Sequence, residues 1–186
     1  MWPARTRRLD VDNILVYYIV AGHNTCEGPH RQPLMNIALE RPDQPEVVQL
    51  IDDLDAYQKP LYPPEAHYGI DIAALSAPHV LFAVARDDAG VAIGCGAIVM
   101  EPGFGELKRM YVRTEHRGQG IAAKVLAFLE GEAMARGCTT FRLETGVRQP
   151  QALSFYAGAG YARRGPFASY PDDPLSVFMQ KDVGVS

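Results

Sequence analysis

The sequence predicts an α/β chain built on a mixed sheet. Short β-prone runs alternate with helix-period runs in the order β, α, α, three β, α, β, α, β, β. The three central strands are joined by tight turns, so they read as an antiparallel meander. The chain has 186 residues, 47% of them apolar and 22% charged. That is enough for one buried core and ordinary for a globular domain.

Residues 1–34 stand apart. They carry four Arg against three acidic residues, while the chain as a whole has a net charge of −4. The apolar run Ile14 to Gly22 mimics a signal sequence. Asp10 and Asp12 precede it, the run is short, and no small-x-small cleavage site follows, so it reads as β-prone rather than an export signal. Thr25 to Pro33 is turn-like. Residues 1–34 are therefore expected to be an N-terminal extension: a flexible arm, an added strand, or translated upstream sequence. A single domain follows over residues 35–186.

In that domain Asn36 to Glu40 reads as a strand. Pro45 to Tyr57 places Val47, Val48, Leu50, Ile51 and Leu54 at helical spacing. Asp43 with Glu46 three residues on suggests a capping box. Pro60, Pro63 and Pro64 end the helix, and Ile70–Leu75 is a short helical piece. Val80–Arg86 and Val91–Met100 form a hairpin across Asp87-Asp88-Ala89-Gly90. Glu101-Pro102-Gly103 turns into the strand Gly105–Val112. The helix from Gln119 to Arg136 is rich in strong helix formers, with Gly137 as its C′ residue. Thr140–Thr145 is a strand, Pro150–Ala157 a helix, Tyr161–Arg163 a short strand and Leu175–Lys181 the last strand.

The acidic balance argues against nucleic acid and leans toward cationic acceptors. No apolar run is long enough to span a membrane, and a cytoplasmic location is expected. Cys26, Cys95 and Cys138 fit neither a disulfide framework nor a metal site. His67 and His79 have no partner at ligand spacing, and His116 reads as solvent-exposed.

The most telling stretch is Arg117-Gly118-Gln119-Gly120-Ile121-Ala122, where a strand hands over to a helix. The free N–H groups and positive dipole of a helix start, with glycines and no acidic residue, make a cradle for a pyrophosphate. Two other readings compete. The glycines are also compatible with a plain helix start. Gly118-x-Gly120-x-x-Ala123 also satisfies the dinucleotide fingerprint, with Glu144 as the ribose-binding carboxylate. Against a Rossmann enzyme, five residues separate strand from motif, too little chain follows, and an antiparallel meander precedes.

Val112 followed by Arg117-x-x-Gly120-x-Ala122 resembles the signature of the GCN5-related N-acetyltransferase (GNAT) superfamily. Ala152-Leu153-Ser154-Phe155-Tyr156-Ala157-Gly158-Ala159-Gly160-Tyr161 is similar to that family's second conserved segment, at the family's spacing. The resemblance spans about residues 36–182. It implies a mostly antiparallel mixed sheet, flanked by helices, whose central parallel pair, 105–112 and 140–145, splays apart to hold acetyl-CoA. Pantetheine would bond to the main chain of Met110 and Val112, with Tyr111 between them. The pyrophosphate would sit on the N–H groups of Arg117, Gly118, Gln119, Gly120, Ile121 and Ala122. Where many members carry an Asn bonding the pantetheine, this chain has Gln149.

Glu106 lies where several members place a general base. The competing reading is an ion pair with Lys108 or Arg109. By alternation Glu106, Lys108, Met110 and Val112 would share one face. Tyr156 would protonate the leaving thiolate, or else be a core tyrosine. Tyr57, Tyr62, Tyr68, Tyr170, Asp172 and Asp173 fall in segments that border the acceptor cleft in this family. The resemblance implies direct acetyl transfer to a primary amine on a small molecule or peptide. The competing function is an acyl-CoA-binding regulatory module without turnover. A homodimer is left open.

Overall fold

The order of apolar runs folds into one seven-stranded sheet. The computed structural model describes residues 35–63 and 68–184. The extension expected over residues 1–34, with Cys26, and His67 lie outside them. The elements are β1 (Asn36–Leu39), α1 (Pro45–Gln58), α2 (Ile72–Leu75), β2 (Val80–Arg86), β3 (Ala92–Glu101), β4 (Phe104–Val112), α3 (Ile121–Met134), β5 (Thr140–Gly146), α4 (Pro150–Gly158), β6 (Ala162–Arg164) and β7 (Ser176–Asp182). The sheet order is β1-β2-β3-β4-β5-β7-β6. Every neighbouring pair is antiparallel except β4 and β5. A doubly wound nucleotide fold needs a largely parallel sheet, so the Rossmann reading falls.

Two apolar layers hold the sheet. On one face α3 buries Ile121, Val125, Leu126 and Leu129 against Leu107, Ile98, Phe141 and Leu143. On the other, α1 buries Val47, Leu50 and Ile51 against Phe82, Val84 and Cys95. The capping box expected at Asp43 is not formed. Gln44 is the N-cap, extended at φ −73° and ψ 138°, and Asp43 bonds Arg41 instead. Pro45 is the cause: it disfavours helical backbone in the residue before it and supplies a preset first helical residue. At the far end of α3 the Gly137 prediction holds. Gly137 has φ 84°, and the N–H groups of Gly137 and Cys138 donate to the carbonyls of Met134 and Ala133, the Schellman pattern.

β4 carries the feature that shapes the site. Ala97 pairs with Lys108, but Cys95 pairs with Tyr111, so Arg109 and Met110 together oppose Gly96. This is a β-bulge, and Arg109 lies at its centre with φ 55°. A bulge shifts the side-chain alternation by one. The expected common face of Glu106, Lys108, Met110 and Val112 is therefore broken. Met110 and Val112 face α3, with the Met110 sulfur over Gly96 beside Val125 and Leu129. Arg109 and Tyr111 face α1. The Arg109 guanidinium pairs with Asp55 and donates to the Ile70 carbonyl from Nε at 3.0 Å, which clamps the bulge to α1 and to the segment leading into α2.

The parallel pair opens just below this bulge. Gly105, Glu106 and Leu107 pair with Phe141, Arg142 and Leu143, and the register ends there. β4 runs on to Val112 and β5 to Gly146 without pairing each other. The main chain of residues 108–112 thus presents an open edge to the gap, the arrangement that accepts an added extended chain.

Candidate active site

The gap between the parted strands is a cavity of about 530 Å³. Leu107, Lys108, Arg109 and Met110 line it from β4, and Glu144, Thr145 and Gly146 from β5. α4 adds Ala152 and Tyr156, and its N-cap Gln149 stands at the rim. α1 and the chain that follows it close the other side through Asp55, Tyr62, Tyr68 and Ile70. Tyr62 is seated against Gly146, where a Cβ would overlap its ring, and its hydroxyl accepts from the Arg148 N–H at 2.9 Å. Only glycine at 146 allows that wall to close.

A polar cluster lies where the strands part. Glu106 is buried and accepts from the Tyr170 hydroxyl at 2.6 Å. Lys108 Nζ pairs with Glu106 at 2.9 Å, bonds the Tyr170 hydroxyl and donates to the Tyr68 carbonyl at 3.3 Å. The Tyr68 hydroxyl reaches Asp173 at 3.3 Å, and the Tyr68 and Tyr170 rings meet edge to face. Burial, then the bond to Glu106, pushes the Tyr170 phenol up and keeps it protonated. Glu144 accepts from the Ser176 hydroxyl at 2.7 Å. Burial raises its carboxyl above the usual range, against the opposing effects of Ser176 and of the Lys108 charge.

Tyr156 is buried, its ring tilted against Phe155 and edge to face with Tyr161. Burial lifts its phenol well above the ordinary value, so this cavity-lining tyrosine holds its proton. Cys95 is fully buried, and its thiol is pushed up to about 12 by that burial. A thiol so placed is no nucleophile. Cys138 is buried too, so neither cysteine among the described residues is placed for an acyl-enzyme.

The glycine loop forms a turn between a short 3-10 helix, Thr114–His116, and α3. Gly118 and Gly120 have φ of 77° and 75°, and Gly120 is the α3 N-cap. Nothing lies within 4 Å of a Cβ at either. Left-handed backbone, not crowding, is what calls for glycine there. The Arg117 N–H is already bonded to the Thr114 carbonyl, so the free donors begin at Gly118 and continue into the first turn of α3. The Arg117 side chain folds back onto the Val112 carbonyl and the rings of Tyr57 and Tyr111.

Of the residues singled out by sequence, the structure brings Met110, Gln149 and Tyr156 to the cavity wall. Tyr111 and Val112 continue the same strand beyond it, and residues 117–122 cap the adjoining helix. Glu106 stands behind Lys108 rather than on the wall, in the ion pair that competed with a base role. That pair is buried, not a surface one. Among the border residues, Tyr62 and Tyr68 line the cavity, Tyr170 and Asp173 join the polar cluster, Tyr57 carries Arg117, and Asp172 is exposed. His116 is half-buried in the 3-10 turn and His79 is exposed. Sequence reasoning missed the bonds from Lys108 to the Tyr68 carbonyl and the Tyr170 hydroxyl, and the place of Glu144 on the wall. The sequence marks Glu144 only as the ribose carboxylate of the Rossmann reading, and its place at the end of the strand 140–145 was the signal that it could reach the gap.

The profile described as the acetyltransferase (GNAT) family matches residues 45–161. The IAA acetyltransferase of Azospirillum brasilense is 46% identical over 153 residues, covering 81% of this chain and 99% of that protein. The uncharacterized N-acetyltransferase YsnE of Bacillus subtilis is 32% identical over 80% of this chain and 100% of its own length. A crystal structure from Klebsiella pneumoniae, proposed to be an acyl-CoA N-acyltransferase, superposes with a TM-score of 0.70 at 41% identity, over 81% of this chain and 99% of that one. The PaiA N-acetyltransferase of Thermoplasma acidophilum, solved with coenzyme A, shares the fold at a TM-score of 0.62 and 17% identity, over 80% of this chain and 98% of that one.

Proposed function

This chain belongs to the GNAT acetyltransferase family and is an acyltransferase, and we propose that it moves the acetyl group of acetyl-CoA directly to a primary amine, both substrates being bound at once. The observation that carries this reading is the parting of β4 and β5 beyond Leu107 and Leu143. It leaves an open strand edge beside a cavity, and the same strand leads on to the glycine-capped start of α3.

The residues present fit the cosubstrate. The main chain of Met110 to Val112 would pair with the pantetheine arm as an added strand pairs with an edge. Gln149, whose side chain has no hydrogen bond among the described residues, would reach the same arm. The N–H groups of Gly118, Gln119, Gly120, Ile121 and Ala122 would hold the pyrophosphate, since a helix N-terminus supplies convergent donors. The N–H groups at the bulge would oppose the charge that develops on the thioester oxygen. Tyr156 would hydrogen-bond the departing sulfur. Burial raises its pKa and so keeps the proton on the hydroxyl for that bond.

A carboxylate of the polar cluster would accept the proton that the acceptor ammonium must lose. Glu106, the residue marked by sequence, stands behind Lys108 and would need the Tyr170 hydroxyl or a water to reach that proton, whereas Glu144 lines the cavity itself. Residues 35–186 would form the catalytic domain, with residues 1–34 as an N-terminal extension.

The test is release of free thiol from acetyl-CoA across a panel of primary amines. Transfer that needs both partners and slows about a hundredfold or more in Tyr156→Phe, the range of a lost general acid, supports the reading. Tight coenzyme A binding with no transfer to any amine would favour the binding module instead.

A further inference from the structure

We propose that Glu144 is the catalytic base: the carboxylate that receives the acceptor's ammonium in the cavity and takes its proton. This rests on the amine-transfer reading above and says which carboxylate does the work. Glu144 sits on β5 one residue beyond the last paired position, Leu143, so its side chain stands where the strands part. It lines the cavity that Met110 and Tyr156 also line, and Glu106 does not.

The two carboxylates differ in their partners. Glu106 already carries a cation: its Oε1 accepts from the Tyr170 hydroxyl and is paired with Lys108. An ammonium approaching it would have to share that carboxylate with the Lys108 charge. Glu144 accepts one neutral hydroxyl, from Ser176. The groups that act on it are Lys108 and Glu106 from β4, and Asp173, Tyr68 and Tyr170 from the loops that fold over the cluster. Lys108 is the cation among them, and it is already held by Glu106. Glu144 is therefore the half-buried carboxylate with spare negative potential toward the cavity. Its burial brings its proton affinity nearer to neutrality, the direction a base needs.

The balance is simple. The ammonium gives one proton to Glu144, and the freed lone pair attacks the thioester carbon. The C–N bond forms and the C–S bond breaks. The nitrogen's second proton leaves as the amide forms. One of the two protons ends on the coenzyme sulfur, by way of the Tyr156 hydroxyl, and the other passes from Glu144 to solvent.

The experiment uses the full chain with acetyl-CoA and n-butylamine as probe acceptor, reading kcat/KM against pH. Glu144→Gln should lower kcat/KM at least a hundredfold near pH 7 and replace the parent's acid limb and plateau with a rate that climbs steadily toward the amine's own pKa, about 10 for an alkylammonium. Its stabilisation by acetyl-CoA should match that of the parent, which shows the fold and cofactor site to be intact. Ser176→Ala removes a bond that favours the ionised form, so it should move the acid limb to higher pH. Glu106→Gln should keep an acid limb. The parent's acid limb and plateau unchanged in position in Glu144→Gln, or lost in Glu106→Gln instead, overturns the assignment. A parent chain that transfers acetyl to no amine overturns the transfer reading with it, and is recognised because the parent itself is silent.

Discussion

β4 and β5 are paired at one end and parted at the other, and the two ends are made of different chemistry. At the paired end Gly105, Leu107, Phe141 and Leu143 bury apolar surface with every strand bond made. Gly105 approaches so closely that a Cβ would meet Ile98 at 2.8 Å. At the open end the same strands present Lys108, Met110, Glu144 and Gly146 to a cavity. The change is made by one inserted residue in β4, with Arg109 in a backbone conformation that L residues rarely adopt. Stability and function are thus divided along a single strand pair. The inserted residue is held by tertiary contacts with Asp55 and Ile70 rather than by local preference.

Breaking the paired end should have the largest effect. Phe141 is fully buried, and Phe141→Ala should lower unfolding free energy by about 3–5 kcal/mol in denaturant titration. A loss under 1 kcal/mol would mean that this end does not anchor the sheet. Next comes the open end. Tyr156→Phe keeps the ring and should leave the melting temperature nearly unchanged while slowing transfer about a hundredfold, equivalent to roughly 2.7 kcal/mol of barrier. Equal rates in the two proteins would remove Tyr156 from the chemistry.

Gly120→Ala sharpens the comparison, because its φ of 75° strains any side chain. It should destabilise by about 1–2 kcal/mol and weaken coenzyme A binding, read by calorimetry. Full affinity in that variant would separate the loop from the pyrophosphate. The smallest effect is one of pH. Glu144 has a raised folded-state pKa, so its ionisation opposes folding, and stability falls as pH rises from the ordinary carboxylate value through the raised one. Glu144→Gln should therefore melt higher than the parent at pH 8, with the gain gone below about pH 4, under the ordinary carboxylate value. A gain that persists in acid would show that the charge is not its cause.

Much of this was legible in the sequence. The order of elements is the observed one, because helix and strand periods differ plainly along this chain. The glycine loop leads into a helix and the Tyr156 segment forms one, as their composition and spacing predict. Other features were not legible. The bulge at Arg109–Met110 has no glycine or Asn to announce it, so alternation put Met110 and Val112 on the wrong face. The N-cap of α1 was misplaced because Pro45 outweighs the side-chain preference of Asp43. The environment of Glu144 depends on Ser176, 32 residues away, and on a cation held by another carboxylate. No spacing rule joins them.

The central claim is that the parted end of β4 and β5 holds an acyl-CoA. Thermal unfolding of the full chain with acetyl-CoA, coenzyme A or NAD added separately tests it most directly. At about 100 times its dissociation constant a bound ligand adds roughly 2.7 kcal/mol. The account predicts that shift with acetyl-CoA and with coenzyme A, and none with NAD. No shift with either coenzyme A species at saturating concentration would contradict it.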